Sequence, residues 1–148
     1  MKVVVQRVSS ASVVVEGVEV SKINKGYLLL VGVEETDEKA DADWLVKKIV
    51  NLRIFSDDEG KMNLSIKEVD GEVLCVSQFT LMADYKKGNR PSFITAARPD
   101  LAVPMFEYFK SEMAKYGVTV SSGIFGADMK VSLTNDGPVT IIMDSKIR

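Results

Sequence analysis

The run Tyr27-Leu28-Leu29-Leu30-Val31-Gly32-Val33 is the longest apolar stretch of the chain and the strongest indication of its fold. The run is much shorter than the roughly 20 apolar residues that a membrane-spanning helix needs. A short, continuous run of apolar residues is typical of a strand that lies buried in the middle of a sheet. We therefore expect the fold to be built around this strand.

The segments on either side predict further strands, because they are rich in valine or alternate between apolar and polar residues. Glu16-Gly17 is the expected tip of a hairpin, since glycine accepts a positive φ. The predicted strands are Lys2–Val8, the two arms of a hairpin over Ser12–Val20, Leu52–Phe55, Val73–Leu81, Val118–Val120, Met129–Leu133 and Val139–Met143.

Two helices are expected. The first has Thr36 as a predicted N-cap, and its apolar face is formed by Ala42, Leu45, Val46, Ile49 and Leu52. The second runs from about Asp100 to Tyr116, with Pro104 expected in its first turn and Gly117 as a C-terminal cap. Together these elements predict an α+β fold: a single domain over residues 1–148, with about two helices on a curved, largely antiparallel β-sheet or barrel.

The residue types that are missing restrict the chemistry. The chain has no histidine and one cysteine, which excludes a Ser-His-Asp triad, a Cys-His dyad, a His-ligated zinc site and a Cys-only zinc site. Magnesium bound by carboxylates alone stays possible, but the sequence has no tight acidic cluster that favours it. We therefore expect no metal and no cofactor, and any proton transfer must use carboxylates, Lys, Tyr, backbone groups, water or the substrate. Cys75 lies in an apolar strand, where a buried, inert thiol and a reactive one are the alternatives.

Charge is distributed unevenly, although the net charge is only −2. From Tyr85 to Arg98 there are four positive residues and no acidic one, namely Lys86, Lys87, Arg90 and Arg98. This stretch is either a solvated loop or a surface that contacts phosphates. The N-terminus carries a charge where the apolar region of a signal peptide would continue, so we expect a cytoplasmic protein without a membrane segment.

Two short segments carry polar groups in positions typical of a site. Ser77-Gln78-Phe79-Thr80-Leu81 ends a predicted strand, whose alternation would place Ser77 and Phe79 on one face and Gln78 and Thr80 on the other. Asn135-Asp136-Gly137-Pro138 is predicted to be a turn between two strands. From pattern alone, a purely structural role is the favoured interpretation of both segments.

Taken together, these two segments resemble the signature pair of the bacterial and eukaryotic D-aminoacyl-tRNA deacylase family. Other stretches that resemble the family follow in the expected order, so the resemblance covers essentially the whole chain. These stretches are Met1–Val8, Gly88-Asn89-Arg90-Pro91-Ser92-Phe93 and Gly123-Ile124-Phe125-Gly126-Ala127-Asp128-Met129.

The resemblance implies the fold of that family, a homodimer with its active site at the subunit interface, and hydrolysis of the ester that joins a D-amino acid to tRNA. A cis Gly137-Pro138 segment of one subunit would reach into the pocket of the other and exclude L side chains. Because glycine has no side chain, glycyl-tRNA is an expected secondary substrate.

The same resemblance implies roles for further residues. Ser77, Gln78, Phe79 and Thr80 would lie near the scissile ester, with Thr80 acting either as a nucleophile or as a positioning donor. We favour positioning, because no neighbouring base is evident. Phe125 and Met129 would hold the terminal adenosine or pack in the core, and Lys86, Lys87 and Arg90 would contact tRNA phosphates. The alternative function is a non-catalytic nucleic-acid-binding dimer with the same fold.

Overall fold

The computed structural model describes all residues of the chain, 1–148. Eight strands and two helices follow one another, with a 3-10 turn over Phe79–Met82. Their bounds are β1 Lys2–Val15, β2 Val18–Ile23, β3 Gly26–Gly32, α1 Lys39–Asn51, β4 Phe55–Ser56, β5 Met62–Leu64, β6 Glu72–Ser77, α2 Pro99–Ala114, β7 Thr119–Ser122 and β8 Met129–Asp144.

The long strand β1 organises the main sheet, because it pairs with three other strands. One edge of β1 pairs with β3 over Lys2–Val8 and with β2 over Ala11–Val15, while the other edge pairs with β8. All three pairings are antiparallel, whereas β3 pairs with β6 and β6 with β7 in parallel. The expected α+β fold with a curved sheet is confirmed, and the sheet is mixed and nearly closed. Strands β4 and β5 form a separate two-stranded sheet.

The parallel pairings explain the position of both helices. Parallel neighbours need a crossover connection, which is usually helical. Helix α1 lies on the connection from β3 to β6, and α2 lies on the connection from β6 to β7. Buried residues of both helices join one large hydrophobic core on the same face of the sheet.

The apolar run that suggested a central strand is β3, and its prediction is confirmed. Tyr27, Leu29 and Val31 are buried in the core beneath the helices. Leu28 faces the opposite side and belongs to a second, smaller cluster, which Leu30 partly covers. Side chains alternate between the faces of a strand, so a continuous apolar run is needed when both faces are covered.

The helix boundaries differ from the prediction. Helix α1 is capped by Glu38 and not by Thr36; the N–H of Glu38 donates to Oδ2 of Asp41 at 2.8 Å. Helix α2 begins at Pro99, so Pro104 lies in its second turn and not in its first. The helix ends at Ala114, and Gly117 follows with a φ of +84°.

The segment Asn135–Pro138 is not a turn between two strands, as the sequence predicted. Residues on both sides of it pair with β1 in the same direction, so β8 is one strand. Gln6 faces Thr140 and Val8 faces Asn135, which leaves one residue of β1 opposite residues 136–139 of β8. The extra residues form a bulge, which projects backbone out of the ladder.

Candidate active site

The first signature segment lies where β6 ends. The strand stops at Ser77, and Phe79–Met82 form a single 3-10 turn. The predicted strand to Leu81 is therefore too long, and the expected alternation of Ser77 and Phe79 against Gln78 and Thr80 is wrong. The N–H of Gln78 donates to the carbonyl oxygen of Val31 at 2.8 Å, which attaches the turn to β3.

A cavity of about 280 Å³ brings this segment together with the loop between β7 and β8. Ser77, Gln78 and Phe79 lie on one side, and residues 125–129 and Val131 lie on the other. Thr80 is exposed and does not line the cavity, but its Oγ1 accepts a hydrogen bond from Nε2 of Gln78. Three of the four predicted catalytic residues thus face the cavity that Phe125 and Met129 also line.

The aromatic residues of the cavity are only partly covered. Phe79 is 53% exposed and meets Phe93 edge to face, with 5.2 Å between the ring centroids. Phe125 packs near Phe106 of α2, at 6.3 Å, and Met129 packs against the smaller core cluster. Phe125 and Met129 therefore combine core packing with a surface that is open to a ligand.

The second signature segment lies elsewhere on the surface of the same chain. Gly137 and Pro138 are exposed, the peptide bond between them is cis, and neither residue lines the cavity. Gly137 has a φ of +134°, which L side chains rarely adopt. A methyl group at this position would lie 2.8 Å from Cγ2 of Val139 and 3.0 Å from Nη2 of Arg7.

Arg7 holds this bulge, and sequence reasoning assigned it no role. Its side chain is almost fully buried, and Nε donates to the carbonyl oxygen of Asp136 at 3.0 Å. Its Nη1 donates to the carbonyl oxygen of Ile54 at 2.5 Å. Arg7 is the residue of β1 opposite the bulge. An arginine within a strand of valines was the available signal, because a buried arginine needs fixed partners.

Asn135 supports the bulge from its other end. Its Oδ1 accepts the N–H of Val139 at 3.0 Å, and its Nδ2 donates to Oγ1 of Thr140 at 2.9 Å. The side chain thus bridges the two residues at which the bulge closes. Asn135 and Arg7 together hold the backbone on both sides of Gly137 and Pro138.

The predicted phosphate contacts lie on the loop after the 3-10 turn. Lys86, Lys87 and Arg90 are exposed, and none forms an ion pair. The loop is closed by mutual backbone hydrogen bonds between Asp84 and Ser92, both at 2.8 Å. These basic residues do not line the cavity of Phe125 and Met129, so the structure does not bring the two predicted groups together.

Three other features concern the thiol, the acidic side chains and the helices. Cys75 is fully buried, and burial raises the pKa of its thiol to about 12, as expected for the inert alternative. No three Cys, Asp or Glu side chains converge as a group that would hold a metal ion. Neither helix is long and apolar enough to cross a membrane.

The model of the family described as D-Tyr-tRNA(Tyr) deacylase matches residues 4–144. The chain belongs to this family. The expectation of an enzyme that hydrolyses a carboxylic ester is confirmed at this level. Two bacterial members, both described as D-aminoacyl-tRNA deacylase, match over nearly their full length. The protein of Flavobacterium johnsoniae is 57% identical, covering 100% of this chain and 99% of that protein. The protein of Bacteroides thetaiotaomicron is 59% identical, covering 99% and 98%.

Two solved structures share the fold of this chain. The structure described as c-Myc DNA Unwinding Element Binding Protein superposes with a TM-score of 0.92 at 40% identity, covering 97% of this chain and 98% of that chain. A probable eukaryotic D-amino acid tRNA deacylase superposes with a TM-score of 0.82 at 17% identity, covering 96% and 97%. At 17% identity, the similarity to the second structure establishes only that the fold is shared.

Proposed function

We propose that this deacylase hydrolyses the ester between a D-amino acid and the 3′ end of tRNA, in the cytoplasm. The observation that carries the proposal is the shared cavity, in which Ser77, Gln78 and Phe79 face Phe125 and Met129. A partly exposed aromatic ring can stack on the terminal adenine, and polar groups on the opposite wall can reach the ester. The amino acid then extends from the cavity toward solvent.

The proposed catalytic groups act as hydrogen-bond donors to the reacting ester, and none of them acts as a nucleophile activated by a neighbouring base. The only side-chain partner of Thr80 is the amide of Gln78, which cannot take a proton from a hydroxyl. The first hydrogen bond of the 3-10 turn runs from the N–H of Leu81 to Gln78, so the N–H groups of Phe79 and Thr80 have no partner within it. These two N–H groups are suited to bind the developing oxyanion while water, assisted by the ribose 2′-hydroxyl, attacks.

Chiral selection requires the Gly137–Pro138 bulge at the cavity, which it does not reach within one chain. We infer that a second copy of the chain supplies it, so that the active site lies at the interface of a homodimer. The bulge is exposed and supported by Arg7, as expected for a segment that enters a partner. Its main chain would bind the amino group of a D-residue and leave no space for an L side chain.

An apolar surface beside the bulge supports the same arrangement. Ile142, on β8, is 77% exposed, and with Val4 and Leu81 it lines an open cavity of about 740 Å³. Tyr85, at the rim, is also 77% exposed. Contiguous exposed apolar residues are typical of protein interfaces. This surface combines Ile142 of the bulge-bearing strand with Leu81 of the 3-10 turn, so we infer that a dimer formed through it brings the bulge of one copy toward the cavity of the other.

Glycyl-tRNA is a proposed secondary substrate. A wall that excludes the L configuration by contact with a side chain has nothing to exclude in glycine.

The alternative function is nucleic-acid binding without catalysis. It is favoured by one observation, the similarity to a protein described as binding a DNA unwinding element. Turnover of D-tyrosyl-tRNA distinguishes the two, because a binder leaves the ester intact.

The interface is tested by mixing two inactive variants. Gly137→Ala impairs the bulge, while Gln78→Ala combined with Phe79→Ala impairs the cavity. In a mixed dimer, one site carries both defects and the other is intact. After exchange of subunits, half of the dimers are mixed, so about a quarter of the sites should regain activity. No recovery, although mass spectrometry shows mixed dimers, would contradict a shared site.

A further inference from the structure

A narrow polar groove crosses three strands on the face of the sheet opposite the smaller core cluster. In one row, Ser132 of β8 faces Ser12 of β1, which in turn faces Lys22 of β2. In the next row, Thr134 faces Ser10. The side chains of directly opposed residues lie on the same face of a sheet. The groove has a volume of about 160 Å³ and is lined by residues 10–12, Lys22 and residues 132–134.

The lining is suited to an anion. Four hydroxyl groups and one ammonium group converge there, and no carboxylate lines the groove. The ammonium of Lys22 forms no ion pair. Hydroxyl groups and lysine are common contacts of phosphate oxygens in nucleic-acid complexes. Because the whole chain carries a net charge of −2, phosphate binding needs local donors of this kind.

The groove lies on β8 between the two segments that the proposed function requires. Met129 and Val131 face the cavity, while Ser132 and Thr134, on the other face of the strand, line the groove. Ser132 is three residues from Met129, which corresponds to about 10 Å along a strand. On its far edge β8 has no neighbouring strand, so a ligand can pass from the cavity around this edge. Thr134 leads directly into the bulge.

We propose that this groove binds the phosphodiester backbone of the single-stranded acceptor end of the tRNA. The inference rests on the proposed function, because it takes the terminal adenosine to lie in the cavity. Lys22 pairs with one phosphate, and Ser12 and Ser132 donate to its oxygens. The groove thereby sets the direction in which the tRNA leaves the site.

The test compares two esters with the same reacting group. D-tyrosyl-tRNA carries phosphates, whereas 3′-O-D-tyrosyl-adenosine carries none. Neutralising one contact on a single strand lowers the slope of log affinity against log salt by about 0.7. For Lys22→Gln we therefore expect the slope of log kcat/KM against log salt to be about 0.7 smaller with the tRNA ester. Between roughly 50 and 200 mM salt, the variant should lose about 2.5-fold less of its kcat/KM than the parent. The nucleoside ester should be cleaved as by the parent.

Two further variants make the test specific. Lys61→Gln removes an exposed lysine in the loop between β4 and β5 and should leave the slope unchanged. Ser12→Ala with Ser132→Ala should weaken binding of the tRNA ester without changing the slope, because neutral donors release no counterion. Unfolding curves verify that each variant is folded.

The proposal is overturned if Lys22→Gln behaves like Lys61→Gln, or if it impairs both esters equally. Cleavage of neither ester by the parent would instead refute the proposed function. In that case, the salt dependence of binding to uncharged tRNA, measured by fluorescence anisotropy, tests whether the groove contacts phosphates. A smaller salt slope in Lys22→Gln supports it, and an unchanged slope overturns it.

Discussion

Arg7 binds the carbonyl oxygen of Asp136 through its Nε atom, at 3.0 Å, from a buried position in the neighbouring strand. One buried side chain therefore supports the exposed Gly137–Pro138 segment. Its second hydrogen bond, to the carbonyl oxygen of Ile54, anchors the guanidinium in the core. The position of Gly137 is thus coupled to the interior of the protein.

Replacing Arg7 by lysine should displace the bulge while keeping the charge. Lysine cannot donate to both carbonyl groups in this geometry, and misplacement of about 1 Å can cost about 100-fold in rate. We expect kcat/KM for D-tyrosyl-tRNA to fall by about 10- to 100-fold, and the free energy of unfolding by about 1–3 kcal/mol. Arg53→Lys, at an exposed arginine, serves as a control. Parental activity in Arg7→Lys would show that the support is dispensable.

Gly137→Ala should impair the reaction through backbone geometry. The added methyl group would contact Val139 and Arg7 at a φ of +134°. We expect at least about a tenfold loss of kcat/KM for the D-ester, because the bulge must shift. Gly60→Ala also introduces a side chain at a positive φ, but into open space. It should reduce stability while leaving activity unchanged, and an equal loss of activity in both variants would refute the specific role of Gly137.

Thr80→Ala distinguishes positioning from nucleophilic attack. A lost neutral hydrogen bond costs about 1 kcal/mol, so a positioning role predicts a fall in kcat of about five- to tenfold. Pre-steady-state kinetics with the ester in excess should show no burst, and no covalent intermediate should accumulate in the parent. Complete loss of activity in a folded Thr80→Ala variant, together with an acyl-enzyme in the parent, would establish the nucleophile.

Stability in acid should depend on Asp41. Burial raises the pKa of this carboxyl group, but hydrogen bonds from the N–H of Glu38 and from Lys146 outweigh burial and lower it from 3.8 to about 2. Since the pKa is lower in the folded state, the stabilisation is complete above pH 3.8 and is lost as the pH falls toward about 2.

Asp41→Asn should therefore be less stable than the parent at neutral pH and should approach it in acid. Loss of a helix cap costs about 1 kcal/mol, or about 3 °C in Tm for a chain of this size. Thermal unfolding followed by circular dichroism at several pH values measures the difference. Asp58→Asn, at an exposed aspartate, serves as the control. A constant difference between Asp41→Asn and the parent at every pH would contradict the shifted pKa.

Apolar patterning was enough to predict the central strand and both helices. A strand that is buried on both faces has a continuous apolar run, and a helix that is buried on one face has apolar residues at helical spacing. It failed at Thr36, since a cap depends on local hydrogen bonds that several nearby polar residues can make. It also failed after Ser77, where the alternation of polar and apolar residues over Gln78–Leu81 suits a strand but the chain forms a 3-10 turn.

The bulge of β8 is the clearest case of information that is not local. Asn135-Asp136-Gly137-Pro138 has the composition of a turn, and only the pairing of both flanks with β1 shows that the chain does not reverse. The role of Arg7 follows from the same long-range pairing. The cavity residues were recognised as a set through family resemblance, whereas their contacts could be read only from the fold.

The most direct test of the proposed function compares hydrolysis of D-tyrosyl-tRNA and L-tyrosyl-tRNA by the purified protein, with EDTA present. We expect rapid loss of the D-ester and persistence of the L-ester, unaffected by the chelator. Equal persistence of both esters, with protein shown to be a folded dimer, would contradict it and favour nucleic-acid binding without catalysis.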